Sequence, residues 1–276
     1  MSRTSAVLPD KPTAGQGPRF AGQEEELPQM SLLQHLEELR RRVLRSLVAL
    51  GIAFVATWYL APMCVEFLSR PIQPLLPEGH KLAFFAPTEA FVLYLKVSGL
   101  MAVFAVAPYI LAQVWGFIAP GLYKRERRFA LPFIFFGTFF FLAGGAFAYY
   151  VALPFALEFL VNFGSDQFEA VISAKTYFSF LIAVILGLGL MFELPILIFL
   201  LSWIGLVTPR FLMRHFRWAV LLIFIAAAII TPTPDVFNLC LFAVPTLGLY
   251  LLGVGAAALI PKRQRLIDPV EESAEA

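Results

Sequence analysis

Six apolar runs separated by short polar stretches organise this chain, at residues 46–61, 91–118, 129–161, 176–206, 218–230 and 236–260. Backbone polar groups in hydrocarbon must be satisfied inside the segment itself, so runs of this length predict membrane-spanning helices. The pattern therefore predicts an all-α integral membrane protein with six transmembrane helices. The fifth run, expected to begin as a charged helix on the inside, is the short one. As a helix it reaches roughly 20 Å across a hydrocarbon core of about 30 Å, which predicts local bilayer thinning.

Punctuation between the runs is consistent with this division. Ser31 and Gln34 have the spacing of a capping box, which would start an amphipathic helix that runs on into the first span. Thr208-Pro209 and Thr233-Pro234 each read as an N-cap followed by proline at the first helical position, and Thr88-Glu89 is a weaker start. Residues 62–89 hold Pro62, Pro71, Pro74, Pro77 and Pro87 together with Phe84-Phe85, a composition that suits a packed cap better than a loose linker. Residues 1–30 are polar and rich in Pro and Gly, and read as a disordered tail. The spanning domain then covers 31–260, with a second tail at 261–276. The first apolar run begins only after Arg45 and more spans follow it, so it reads as an anchor and not a cleaved leader.

Composition sharpens the class. With 59% hydrophobic and only 14% charged residues, the chain is too apolar to cover a soluble domain. Its net charge of +2 is small and forms no broad basic patch, which argues against nucleic acid as a partner and leaves the lipid bilayer as the main one by area. Placing the N-terminus inside puts all but four of the 21 Lys and Arg residues on that side, the exceptions being Arg70, Lys81, Lys96 and Lys175. The positive-inside rule thus predicts that both termini are cytoplasmic. Lys96 sits near the outer end of its span, where it can snorkel. Cys64 and Cys240 lack metal or redox spacing; a bridge between them is geometrically open, and two free thiols are the simpler reading.

A few polar residues need a reason. Glu193 is the one acidic residue deep in a long apolar run, with Gly189 one turn before it and Pro195 just after. That setting predicts a kink facing the bundle interior or a water-filled cavity, and either a functional carboxylate or a structural acid bonded to the carbonyl that proline frees. Asp235, placed at the second helical position of the last span, reads as capping free N–H groups and matching the helix dipole. Glu37 and Glu38 lie four residues before Arg41 and Arg42, and two ordinary helix pairs worth about 0.2–0.5 kcal/mol each are the plain explanation. The competing reading is that carboxylates amid so many arginines stay ionised and can accept an incoming forked guanidinium.

Enzyme signatures are missing. The chain has no His-Glu-x-x-His, no Gly-x-Ser-x-Gly and no Gly-rich phosphate loop, and its three histidines, His35, His80 and His215, are scattered. No catalytic residues, cofactor or metal site is expected. A proton-coupled solute transporter using Glu193 would call for inverted repeats and paired broken helices, whereas only one kinked span is visible. A scaffold without a ligand is the weaker alternative.

Four stretches carry a family resemblance. Residues 33–40 (LQHLEELR), 113–128 (QVWGFIAPGLYKRERR), 192–195 (FELP) and 231–235 (TPTPD) together resemble TatC, the receptor subunit of the twin-arginine protein translocase, over about residues 31–260. The resemblance implies a six-helix, glove-shaped concave bundle with two short C-terminal spans in the bacterial cytoplasmic (inner) membrane. It implies binding of Arg-Arg signal peptides, transport of folded proteins driven by the proton-motive force, single-span TatA and TatB as partners, and a homo-oligomeric receptor complex. Glu38 and Glu126 would hold the arginine pair, with His35, Arg40, Phe117, Arg127 and Arg128 shaping the site. Pro71, Glu193 and Asp235 match further functional positions, Glu193 as the polar group of the concave membrane face. The chain departs from the family at Leu239, where many members have Gln; Asn238 lies one residue early, about 100° round a helix.

Overall fold

A computed structural model describes residues 32–76, 81–119, 130–163, 171–231 and 235–260. Ser31 of the expected capping box, Thr233-Pro234 and both tails lie outside these residues. The described segments are helical, joined by turns and one isolated bridge between Ala83 and Ser173. In chain order they are α1 (Leu32–Trp58), α2 (Ala61–Ser69), α3 (Glu89–Ile118), α4 (Ala130–Phe147), α5 (Leu153–Asn162), α6 (Ala174–Met191), α7 (Leu194–Trp203), α8 (Pro209–Arg214), α9 (Phe216–Ile230) and α10 (Val236–Ala258).

Four stretches are long and apolar enough to cross a membrane: Glu89–Ile118, Ala130–Asn162, Ala174–Trp203 and Val236–Ala258. The α1–α2 pair, bent by 79°, can supply a fifth, and Phe216–Ile230 is apolar but shorter. Its 15 residues give about 22 Å of helix, in line with the short fifth run.

The charged start of α1 runs without a break into its apolar half, as the pattern predicted. The third span holds a surprise. Between α4 and α5 the helix widens into a π turn at Ala148–Ala152, just before Pro154, whose ring cannot donate a hydrogen bond to the preceding turn. The fourth span breaks at the expected place: Phe192 and Glu193 separate α6 from α7, and Pro195 sits in the first turn of α7. The fifth run does not begin as one continuous charged helix, because His215 divides α8 from α9.

The core lies where α3, α4, α6, α7 and α10 meet, with Phe178, Leu181, Leu188 and Phe242 fully buried. Close approach depends on small residues. A methyl group added at Gly144 would meet Leu188 O at 2.7 Å, and one at Gly253 would meet Pro195 Cα at 2.8 Å. Helix α1 packs chiefly on α3, and at their buried crossing Thr57 Oγ1 donates to Ser98 O at 2.9 Å.

Helix ends expose carbonyls and N–H groups that must find partners away from water. At α2, Tyr149 Oη donates to Phe67 O and Tyr177 Oη to Leu68 O, both at 2.7 Å, and the Ala83–Ser173 bridge ties the following loop to the start of α6. The segment after Ala61 is therefore a packed cap. Tyr250 Oη likewise donates to Leu212 O at 2.9 Å, while α7 ends in a Schellman turn at Gly205, with φ +80°. Thr208 caps α8 as expected through Phe211 N. Thr88 makes no side-chain cap; Glu89 Oε2 instead accepts from Phe85 N at 3.1 Å. Lys96, near the start of α3, is exposed and donates to Ser179 Oγ at 2.9 Å, and Cys64 and Cys240 are both free thiols.

Replacing Tyr177 by Phe removes the bond to Leu68 O while keeping the ring, and leaves a buried carbonyl without its partner. The expected cost is about 1–3 kcal/mol, read as a lower thermal unfolding midpoint of the detergent-purified protein. An unchanged midpoint would show that the cap does not depend on this bond.

Candidate functional site

The basic end of the molecule brings α1 against the end of α3. Glu38, on the face of α1 turned to α3, accepts from Arg42 Nε at 3.0 Å and Nη2 at 2.5 Å, both bonds falling on Oε1. Arg42 also donates from Nη1 to Gln113 Oε1 of α3 at 3.4 Å. Its guanidinium sits against Gly116, where an added Cβ would overlap it. One turn before Glu38, His35 stacks on Phe117 with ring centroids 4.3 Å apart and planes 22° apart. His35, Glu38 and Phe117 thus lie together around Arg42, the expected helix partner of Glu38, and around Gln113 and Gly116 of α3, to which the sequence assigned no role.

Glu38 is the informative member of this group. Oε1 is satisfied twice over, whereas Oε2 is buried and has no hydrogen-bond partner among the described residues. A carboxylate with one bonded and one bare oxygen in a partly dry setting has capacity for a second cation. Of the two i,i+4 pairs expected on α1, only Glu38–Arg42 forms among the described residues. Arg40 is exposed and sits on an adjoining face with Glu37 and Arg41. Glu126, Arg127 and Arg128 lie outside the described residues.

Glu193 occupies the break between α6 and α7. Its Oε2 lies against α4, so close to Gly137 that a methyl group there would stand 3.4 Å away, with Leu111 of α3 on the same spot. Its Oε1 is buried and, among the described residues, has no hydrogen-bond partner. The backbone around it is ordinary turn: Glu193 N donates to Leu190 O, and Glu193 O accepts from Leu197 N. The carboxylate is thus not satisfied by a carbonyl freed by proline, which was the structural alternative.

Comparison with known proteins decides the family. A profile of the Sec-independent protein translocase protein (TatC) family matches residues 34–245. The chain belongs to the TatC family. It is 43% identical over 268 residues to Sec-independent protein translocase protein TatC of Koribacter versatilis (strain Ellin345), covering 96% of this chain and 98% of that one. The TatC of Helicobacter pylori (strain ATCC 700392 / 26695) is 42% identical over 229 residues, covering 83% and 88%. A crystal structure of the twin arginine translocase receptor TatC superposes with a TM-score of 0.72 at 34% identity, covering 82% of this chain and 98% of that one. A second, in DDM, gives 0.73 at 32%, covering 81% and 99%. This TatC-family chain is accordingly a multi-pass membrane component of protein transport and not an enzyme.

Pro71 and Asp235, the other positions singled out from the sequence, lie away from the start of α1. Pro71 is half-buried in the turn after α2, next to the fully buried Ile72. Asp235 caps α10 as expected, but as the N-cap itself and not at the second helical position: Oδ1 accepts from Asn238 N at 2.6 Å. Asn238 is 0% exposed and donates its side-chain Nδ2 to Asp235 Oδ2 at 3.0 Å, so it turns inward. It does not present a polar group at the angular position that Leu239 fills. The signal that could have found the contact of Arg42 with Gln113 and Gly116 was the pairing of LQHLEELRRR with QVWGFI, since the two apolar runs they adjoin are neighbours in the chain.

Replacing Glu193 by Met removes an unpartnered buried oxygen and keeps the volume. The thermal midpoint in detergent is expected to stay level or rise. A fall equivalent to more than about 1 kcal/mol would show that the carboxylate is bonded within the fold.

Proposed function

We propose that this chain is the receptor of a twin-arginine export system, binding Arg-Arg signal peptides at a carboxylate site on the cytoplasmic side and starting the transport of folded proteins. The observation that carries the proposal is the bare, buried Oε2 of Glu38 beside the His35–Phe117 stack. An arriving guanidinium can fork onto that oxygen, or take over Oε1 from Arg42, which then keeps Gln113 as an acceptor. Phe117 and His35 offer flat faces for a second guanidinium to stack on. Glu126 completes the pair of carboxylates, with Arg40, Arg127 and Arg128 shaping the same site.

In this reading Glu193 is the polar group that the membrane face offers to a transport partner, and Asp235 and Pro71 hold the distal end in shape. The partners are the single-span subunits TatA and TatB and further copies of this chain, and the proton-motive force supplies the energy. The protein sits in the bacterial inner membrane with six spans and both termini in the cytoplasm. The basic residues clustered at the α1 start support that orientation.

A photo-crosslinking signal peptide carrying Arg-Arg is expected to label residues near Glu38, and the double variant E38Q/E126Q to lose that labelling while still folding. Undiminished labelling of the double variant would sink the site. A Lys-Lys peptide should bind about tenfold or more weakly, since an ammonium cannot make the forked contact. Replacing Glu193 by Met should abolish export in cells while leaving peptide labelling intact.

A further inference from the structure

The face of α1 next to the Glu38 site carries a different feature. A helix turns about 100° per residue, so Arg41 and Arg45 flank the Glu38–Arg42 line on one side, where with Gln34 and Glu37 they border the Glu38 site and also reach the adjoining face. Both are exposed, and among the described residues neither makes an ion pair or a hydrogen bond. Beneath them an open cavity of about 520 Å³ runs along α1 and is closed on the α3 side by Tyr109. Its walls are Leu44, Val48, Ala49 and Ile52, of which Val48 and Ile52 are 61% and 69% exposed. Arg40 joins the two arginines at the mouth, and Glu37 is the one carboxylate there, leaving an excess of positive charge.

We propose that this groove is a binding site for an anionic phospholipid of the leaflet at the basic end, its phosphate held by Arg41 and Arg45 and one acyl chain lying against Val48, Ile52 and Tyr109. Charge and depth select this occupant. From Arg45 to Ile52 is about 10 Å of helix, which lies within the roughly 15 Å that one leaflet contributes to the hydrocarbon core. Guanidiniums at the mouth of an apolar groove match a molecule with a phosphate at one end and a hydrocarbon chain at the other. A peptide whose own cations lead its apolar stretch would be repelled at the same mouth. The site stands on α1 being a membrane span and does not require the peptide site to be correct.

The test is native mass spectrometry of the full-length protein with phosphatidylglycerol or phosphatidylcholine of identical chains. Phosphatidylglycerol should be retained about tenfold more, and R41Q/R45Q should bring it down to the phosphatidylcholine level; equal retention of the two lipids by the wild type, or undiminished retention by the variant, overturns the site. Val48→Asn, with the arginines intact, should weaken retention several-fold, and no change would mean that the groove holds no chain. A photoactivatable phosphatidylglycerol on the wild-type protein, a readout independent of how the variants fold, should label residues 44–52 and the Tyr109 region. Labelling confined elsewhere overturns the proposal, and so does stoichiometric displacement of the lipid by an Arg-Arg peptide, which would assign the groove to the peptide.

Discussion

Each place where a helix stops inside this apolar molecule leaves backbone groups that water is not there to satisfy, and the architecture is built around answering them. Tyrosines from distant spans answer at α2 and α8, a Schellman turn answers at α7, and Ser173, Thr208 and Asp235 answer at helix starts. These contacts do more than close hydrogen bonds. The phenols of Tyr149 and Tyr177 fix the distal cap to the third and fourth spans, so the bent α1–α2 corner is held by the same groups that make it affordable.

Against that background of satisfied groups, the exceptions stand out. Glu38 Oε2 and Glu193 Oε1 are buried oxygens on ionisable side chains, each without a bond among the described residues. Sequences usually remove such groups, since an apolar side chain of similar size would hold the fold as well or better. Their retention fits a protein selected for what it can bind and not for maximal stability. The two carboxylates are also differently placed: Glu38 is on a helix surface beside aromatic rings, and Glu193 is in a break between helices, where a neighbouring helix could reach it.

The apolar helices, the break at Glu193 and the caps at Thr208 and Asp235 were legible in the sequence, because each depends on residues within one or two turns. What could not be read locally was which of two equivalent pairs on α1 would form. Glu37–Arg41 and Glu38–Arg42 have the same spacing, and only contact with Gln113 and Gly116 on α3 separates them. The same holds for the tyrosines: nothing near Tyr177 in the chain announces a carbonyl at Leu68. Asn238 shows the opposite case. It lies one residue before the position where many family members have Gln, and it is buried and bonded to Asp235.

The π turn at Ala148–Ala152 has an effect beyond its own five residues. A widened turn adds close to one residue to the helix, so the side-chain pattern on its two sides is out of step by about 100°. The third span is thus continuous in path but carries a phase slip. Gly144, before the turn, meets α6, and Tyr149, within the turn, reaches α2. A row of side chains followed along the whole span therefore changes neighbour at the turn.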